Sequence, residues 1–165
     1  MTQERSSQKD MTEQLTIREA VPMVLLFESE EYEIEGRTRF QKMVFLIEEL
    51  VQEEEDMSLY EFVEYDYGPF SKQLLDDLER FERMGLVNID RQETYKGGER
   101  YDHQLTYEGV KSIRQLIENT DDPTFTFVHE KAKSVVETWG EEPMWDLLDH
   151  IYEENPEYKE RSVLY

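Results

Sequence analysis

The sequence predicts a mainly α-helical fold with one small β-hairpin. Apolar residues recur at three- and four-residue spacing through several long stretches, the period of an amphipathic helix. Two short extended stretches flank Gly97-Gly98, the pattern of a tight hairpin. Helix start and stop residues punctuate the helical stretches where they are needed: Thr16 with Glu19, then Ser71, Gly85 and Thr106.

Residues 1–14 are polar and lack any period, so a disordered arm is expected there. A helix begins near Leu15, where Thr16 and Glu19 have the spacing of a capping box. Pro22 is expected to kink that helix or shorten its first turn. Residues 28–35 read as an acidic connection ending at Gly36. A second helix over about 38–53 carries Phe40, Met43, Val44, Ile47, Leu50 and Val51 along one stripe. After a charged break, residues 59–67 alternate apolar and acidic and read as a short strand or extended segment, stopped by Gly68-Pro69.

Ser71 then caps a third helix running to Met84, with Gly85 placed to end it. Residues 86–89 and 101–106 form the hairpin around a polar stretch, 90–100. Thr106 opens a fourth helix to about residue 119, and Asp121-Asp122-Pro123 reads as a break. Two further helices are expected at about 126–139 and 143–154, followed by a tail over 155–165. The chain is thus read as a single domain over 15–154, with a core at about 37–114. Helix, helix, short strand, helix, hairpin, helix is the order of a winged helix-turn-helix with extra N- and C-terminal helices.

Forty acidic residues against 18 basic ones give a net charge of −22. The acids are spread along the chain rather than gathered in a tail, which favours a solvated halophilic surface over a dedicated acidic arm. In molar salt such charges are screened over roughly 3 Å, so local charge says more about partners than net charge does. The absence of cysteine excludes disulfides, thiolate metal sites and cysteine nucleophiles. Residues 1–10 have no apolar core of a signal peptide, and the longest apolar run, 21–27, is too short to cross a membrane. A cytoplasmic protein without a membrane partner is expected.

The stretches "LLDDLERFERMGLV" and "GGERYDHQLTYEG" resemble the recognition helix, wing and following helix of PadR- and MarR-like winged-helix regulators. "GRTRFQKMVFLIEEL", "FVEYDYGPFSKQLLDDLERFERMGLV", "LTYEG" and "IYEENPEY" are similar to the YwgA-like winged-helix family, over about 36–158. Through Gln41-Lys42 and Tyr67-Gly68-Pro69 that family in turn resembles Panacea-type antitoxin domains. These resemblances imply a winged-helix protein, a DNA-binding regulator in the first case and a toxin-neutralising module in the last.

On that reading the third helix presents Lys72, Gln73, Arg80 and Arg83, and the wing presents Arg91, Lys96 and Arg100. Across 87–114 five basic residues balance five acidic ones, so the wing region is locally neutral on a strongly acidic protein. Asp76, Asp77, Glu79 and Glu82 accompany the basic residues of the third helix, and Arg80 and Arg83 are also spaced to pair with Asp76 and Glu79. Arg37, Arg39 and Lys42 form a further basic cluster, able to touch phosphate but read equally as a solvated helix start. Tyr65, Tyr67 and Phe70 could make an exposed aromatic surface; burial under the third helix is the reading preferred.

Enzyme chemistry finds little support, because His103, His129 and His150 are far apart and no phosphate loop or nucleophile motif is present. Asp146, His150 and Glu153 share a helix face, but His150 is expected to pair with Asp146 rather than bind a metal. The expected protein is a non-enzymatic transcriptional regulator without cofactor, binding double-stranded DNA as a homodimer through its flanking helices. The alternative is a winged helix used for protein interaction.

Overall fold

A computed structural model describes residues 15–162. The arm expected at 1–14 and the tail end at 163–165 lie outside the described residues. Among the described residues the chain is mainly helical, with a three-stranded antiparallel sheet and a separate two-stranded hairpin.

Helix α1, Ile17–Glu28, starts with the anticipated capping box: the Thr16 hydroxyl accepts from the Glu19 amide at 3.1 Å, and the Glu19 carboxylate accepts the Thr16 amide at 3.3 Å. The helix continues through Pro22, whose missing N–H leaves the Arg18 carbonyl without its usual helical donor. Every residue from Glu19 to Leu26 is buried. Burial all round marks a central helix rather than an appendage, and the later helices pack around it.

A 3₁₀ turn, Glu30–Tyr32, leads into strand β1, Glu33–Glu35. This corrects the reading of 28–35 as a plain connection. A three-residue Glu-Ile-Glu strand is too short to show alternation, and its partner lies some seventy residues away in sequence, with Ile34 opposite His103. Gly36, at φ 88°, turns the chain into helix α2, Arg37–Glu54.

Strands β2, Val63–Tyr65, and β3, Gly68–Phe70, pair antiparallel across Asp66-Tyr67. The Gly68-Pro69 stop is therefore also a correction: the extended segment does not end there but doubles back, with proline tolerated in a short edge strand. Helix α3, Lys72–Arg83, is capped by the Ser71 hydroxyl, which accepts from the Leu74 amide at 3.3 Å. Gly85, at φ 78°, closes it.

Strands β4, Val87–Glu93, and β5, Glu99–Leu105, pair in register from Val87 opposite Leu105 to Glu93 opposite Glu99. They extend further into the polar stretch than expected, because cross-strand pairs such as Arg91 with Tyr101 carry the ladder outward. The strand order in the sheet is β1-β5-β4.

Helix α4, Tyr107–Asn119, is capped by Thr106 as expected, the hydroxyl accepting from Gly109 at 3.0 Å. The Asp121-Asp122-Pro123 break proves to be a helix start. The Asp122 carboxylate accepts the Thr124 amide at 2.9 Å, and Pro123 occupies the first turn of helix α5, Pro123–Trp139. Helix α6, Met144–Glu154, follows, and a short helix α7, Glu157–Arg161, lies in the expected tail. Val128, Ala132 and Val135 on α5 and Leu147 and Ile151 on α6 join α1 and α2 in one buried cluster. These side chains complete the core, the valines, leucine and isoleucine each worth about 1.5–3 kcal/mol if fully buried and Ala132 less.

Candidate nucleic-acid interface

Helix α3 and the β4–β5 hairpin are joined by the sharp turn at Gly85, so their outer faces are neighbours. The Thr106 hydroxyl donates to the Gly85 carbonyl at 2.7 Å, and the Thr106 amide donates to the Leu86 carbonyl at 3.0 Å. The hairpin tip is closed by Thr94 and Gly98 at 2.8 Å, with Gly97 at φ 83°.

Most charges on this surface are already matched. Lys72 pairs with Asp76 at 3.2 Å one turn along α3. Arg91 reaches from β4 to Glu82 on α3 at 3.1 Å, a bond that holds the Glu82 carboxyl below its ordinary range and raises Arg91. Arg100 bonds Asp102 at 3.0 Å along its own strand, which raises the guanidinium, and also reaches Gln92. Arg80 does not pair with Asp76 as its spacing allowed. It turns inward to Glu19 of α1, and its second carboxylate is Asp77 at 3.7 Å.

Asp77 is buried rather than presented outward. It accepts the Tyr60 hydroxyl at 2.7 Å and the Arg18 guanidinium at 3.2 Å. Of the residues singled out from sequence, Gln73, Arg83 and Lys96 are exposed and make no side-chain bond among the described residues. Tyr95 stands fully exposed at the hairpin tip beside Lys96. Sequence reasoning passed over it, although a tyrosine next to a Gly-Gly turn has no strand face on which to bury.

The second basic cluster has a different destiny from a solvated helix start. Arg37 lies over the Tyr101 ring, 3.4 Å from its centroid. Arg39 donates to the carbonyls of Trp139 and Glu142 at 3.2 and 2.5 Å, tying α2 to the end of α5. Lys42 is only 2% exposed and donates to the Pro69 carbonyl at 2.8 Å; burial pushes its ammonium down to about 7. Beside it Gln41 makes a two-way bond with Ser71, donating to its carbonyl at 2.9 Å and accepting its amide at 2.8 Å. The Gln-Lys pair therefore clamps the Gly-Pro-Phe-Ser segment from α2, which gives those residues a structural account.

The aromatic residues of the β2–β3 hairpin are not buried under α3, contrary to the preferred expectation. Tyr65 and Tyr67 are 45% and 46% exposed, and Tyr65 stacks on Phe70 with centroids 4.7 Å apart. A three-residue strand pair offers each side chain only one covered face. Two histidines serve packing: His103 meets the Phe40 ring edge-on, and burial lowers it to about 4. His150 lies against Trp139 rather than bonding Asp146 as expected, with centroids 4.7 Å apart. His129 bonds Glu28 at 2.8 Å, joining α5 to α1. No group of three or more histidine or acidic side chains able to hold a metal ion is found among the described residues, and no described helix is long and apolar enough to cross a membrane.

The chain matches no protein-family model and is similar to no curated protein.

Proposed function

We propose that the protein is a winged helix-turn-helix that binds double-stranded DNA as a transcriptional regulator, with α3 in the major groove and the β4–β5 hairpin as the wing. The observation that carries this reading is the sheet order β1-β5-β4. The first strand precedes α2 and α3, and it pairs with the last strand of the hairpin that follows them. That connectivity, with α1 ahead of β1, supports reading the module as a winged helix with α3 in the recognition position. In this frame the module begins at Ile17 rather than near Arg37, and the β2–β3 hairpin is an insertion between α2 and α3.

Charge matching supports the same reading in part. Carboxylates facing phosphate would oppose binding; Asp77 is buried and Asp76, Glu82 and Asp102 are paired with cations, while exposed Glu79, Asp90, Glu93 and Glu99 pair with no cation among the described residues and count against it. Arg83, Lys96 and Gln73 remain for backbone and base-edge contact. A homodimer belongs to this reading, with exposed Trp145 on α6 as the residue that contact would cover.

A random-sequence duplex library, enriched on the full-length protein from 0.15 to 1 M KCl, tests the proposal. One motif should emerge. Lys96→Glu should weaken all duplexes about tenfold or more, whereas Gln73→Ala should relax preference at one position by roughly 1–3 kcal/mol. Recovery of no enriched sequence across that salt range overturns it.

A second reading is favoured by one observation, the exposed Tyr65 and Tyr67 with Val63 on the β2–β3 hairpin. Such a patch suits a protein partner, as in an antitoxin-like module. Native co-purification of a stoichiometric protein that is lost on Tyr65→Ser, with no enriched DNA, would favour it over the regulator.

A further inference from the structure

Away from the α3–hairpin face, a half-open cavity of about 260 Å³ lies between the start of α1, the outer half of α4 and the first turn of α5. Its apolar wall is built by Ile17 and Ala20 on α1, Leu116 on α4 and Phe125 on α5. Such a space exceeds the roughly 150 Å³ that holds benzene and suits a small organic molecule rather than a water cluster.

Five polar side chains, Ser112, Gln115, Asn119, Thr120 and Asp122, line the rest of the cavity, and of these Ser112 alone is buried. Ser112 is 7% exposed, lines the cavity and has no hydrogen-bond partner among the described residues. A helical serine often bonds the carbonyl one turn earlier; Ser112 does not, and its hydroxyl stays accessible, since among the described residues the buried polar atom left without a partner is His103 Nδ1. Its hydroxyl can both donate and accept. Of the lining residues only Asp122 is ionisable, and neither lysine nor arginine contributes. With a net charge of −22 on the chain, an anionic guest has nothing to neutralise it.

We infer that this cavity binds one small neutral molecule, with an apolar body of about a dozen heavy atoms and one hydrogen-bonding group held by Ser112. The apolar wall supplies affinity through burial, and the Ser112 hydroxyl, the buried one of the polar groups, fixes orientation. The site does not depend on the DNA reading, since none of its residues lies on α3 or the hairpin.

Indole is a suitable probe, because its ring fits the wall and its N–H can donate to the Ser112 oxygen. Titrated into the full-length protein, it should give saturable amide shifts centred on Ala20, Ser112 and Leu116 at millimolar concentration or below. Benzoate at the same concentrations should give none. Ser112→Ala should weaken indole roughly fivefold with the spectrum otherwise preserved, and Leu116→Trp should abolish binding by filling the space. Should Leu116→Trp not fold, the Ser112→Ala comparison still decides. No saturable shift, shifts centred elsewhere, equal binding of benzoate, or unchanged affinity in Ser112→Ala would each overturn the assignment.

Discussion

The Lys42 ammonium donates to the Pro69 carbonyl across 2.8 Å and forms no ion pair among the described residues. A buried cation held by one neutral carbonyl is costly when charged, which is why the group falls from 10.5 to about 7. Between those values the unfolded chain binds more protons than the folded one, so stability rises with pH through that window. The contribution is fully present above 10.5 and is lost as pH falls towards 7. Lys42→Met lacks this slope. Urea unfolding at pH 7, 8 and 9 should show the wild type gaining on the variant by up to about 1.4 kcal/mol per pH unit. Parallel profiles would remove the buried lysine from the account.

Asp76 and Asp77 are adjacent in sequence and opposite in consequence. Asp76 meets only exposed Lys72, a pair worth about 0.2–1 kcal/mol. Asp77 joins Tyr60, Arg18 and Arg80 at the junction of α1 and α3. Asp77→Ala leaves a buried hydroxyl and two guanidinium groups short of an acceptor and should cost about 2–3 kcal/mol. Asp76→Ala should stay within about 0.5 kcal/mol of wild type. Chemical denaturation of the two variants side by side separates them, and similar losses would contradict the placement.

The same pair shows what was legible in the sequence. Ser71, Gly85 and Thr106 were readable because a cap is a contract between residues within four positions, and the structure keeps all three bonds or turns. The helices followed from their apolar period. Lys42 and Asp77 were not readable as buried, because Pro69 and Tyr60 reach them through tertiary folding from 27 and 17 residues away. Strand β1 was missed for a related reason: three residues carry no period, and only pairing with β5 makes them a strand. The cavity at Ser112 has no sequence signature at all, since it depends on how three helices meet.

Gly109 illustrates a motif residue whose role is steric. A methyl group there would lie 2.1 Å from the Leu86 carbonyl oxygen, a backbone atom that also accepts the Thr106 amide. The first turn of α4 can sit against the start of β4 only without a side chain at this position. Gly109→Ala must push α4 outward despite alanine's better helix propensity of about 1 kcal/mol, and overpacking costs typically 1–3 kcal/mol. A net loss of up to about 2 kcal/mol is expected, together with faster amide exchange at Leu86 and Thr106. A gain in stability, the outcome propensity alone would give, would refute the contact.

The acidic surface has a measurable consequence for folding. With 40 acidic and 18 basic residues, like charges repel across most of the described surface, and the ion pairs above offset only part of that repulsion. Raising KCl from 0.1 to 1 M shortens the screening length from about 10 to 3 Å, which relieves repulsion among exposed carboxylates. The partly buried Asp77 network is screened much less. Thermal unfolding should therefore move upward with salt, and a relief of about 2 kcal/mol would appear as roughly 4–8 °C. Sodium and potassium chloride should act alike if screening is the cause. A midpoint that is flat or falls with salt would show that the surface carboxylates are not in net repulsion, and would remove the physical basis for reading this composition as adaptation to high salt.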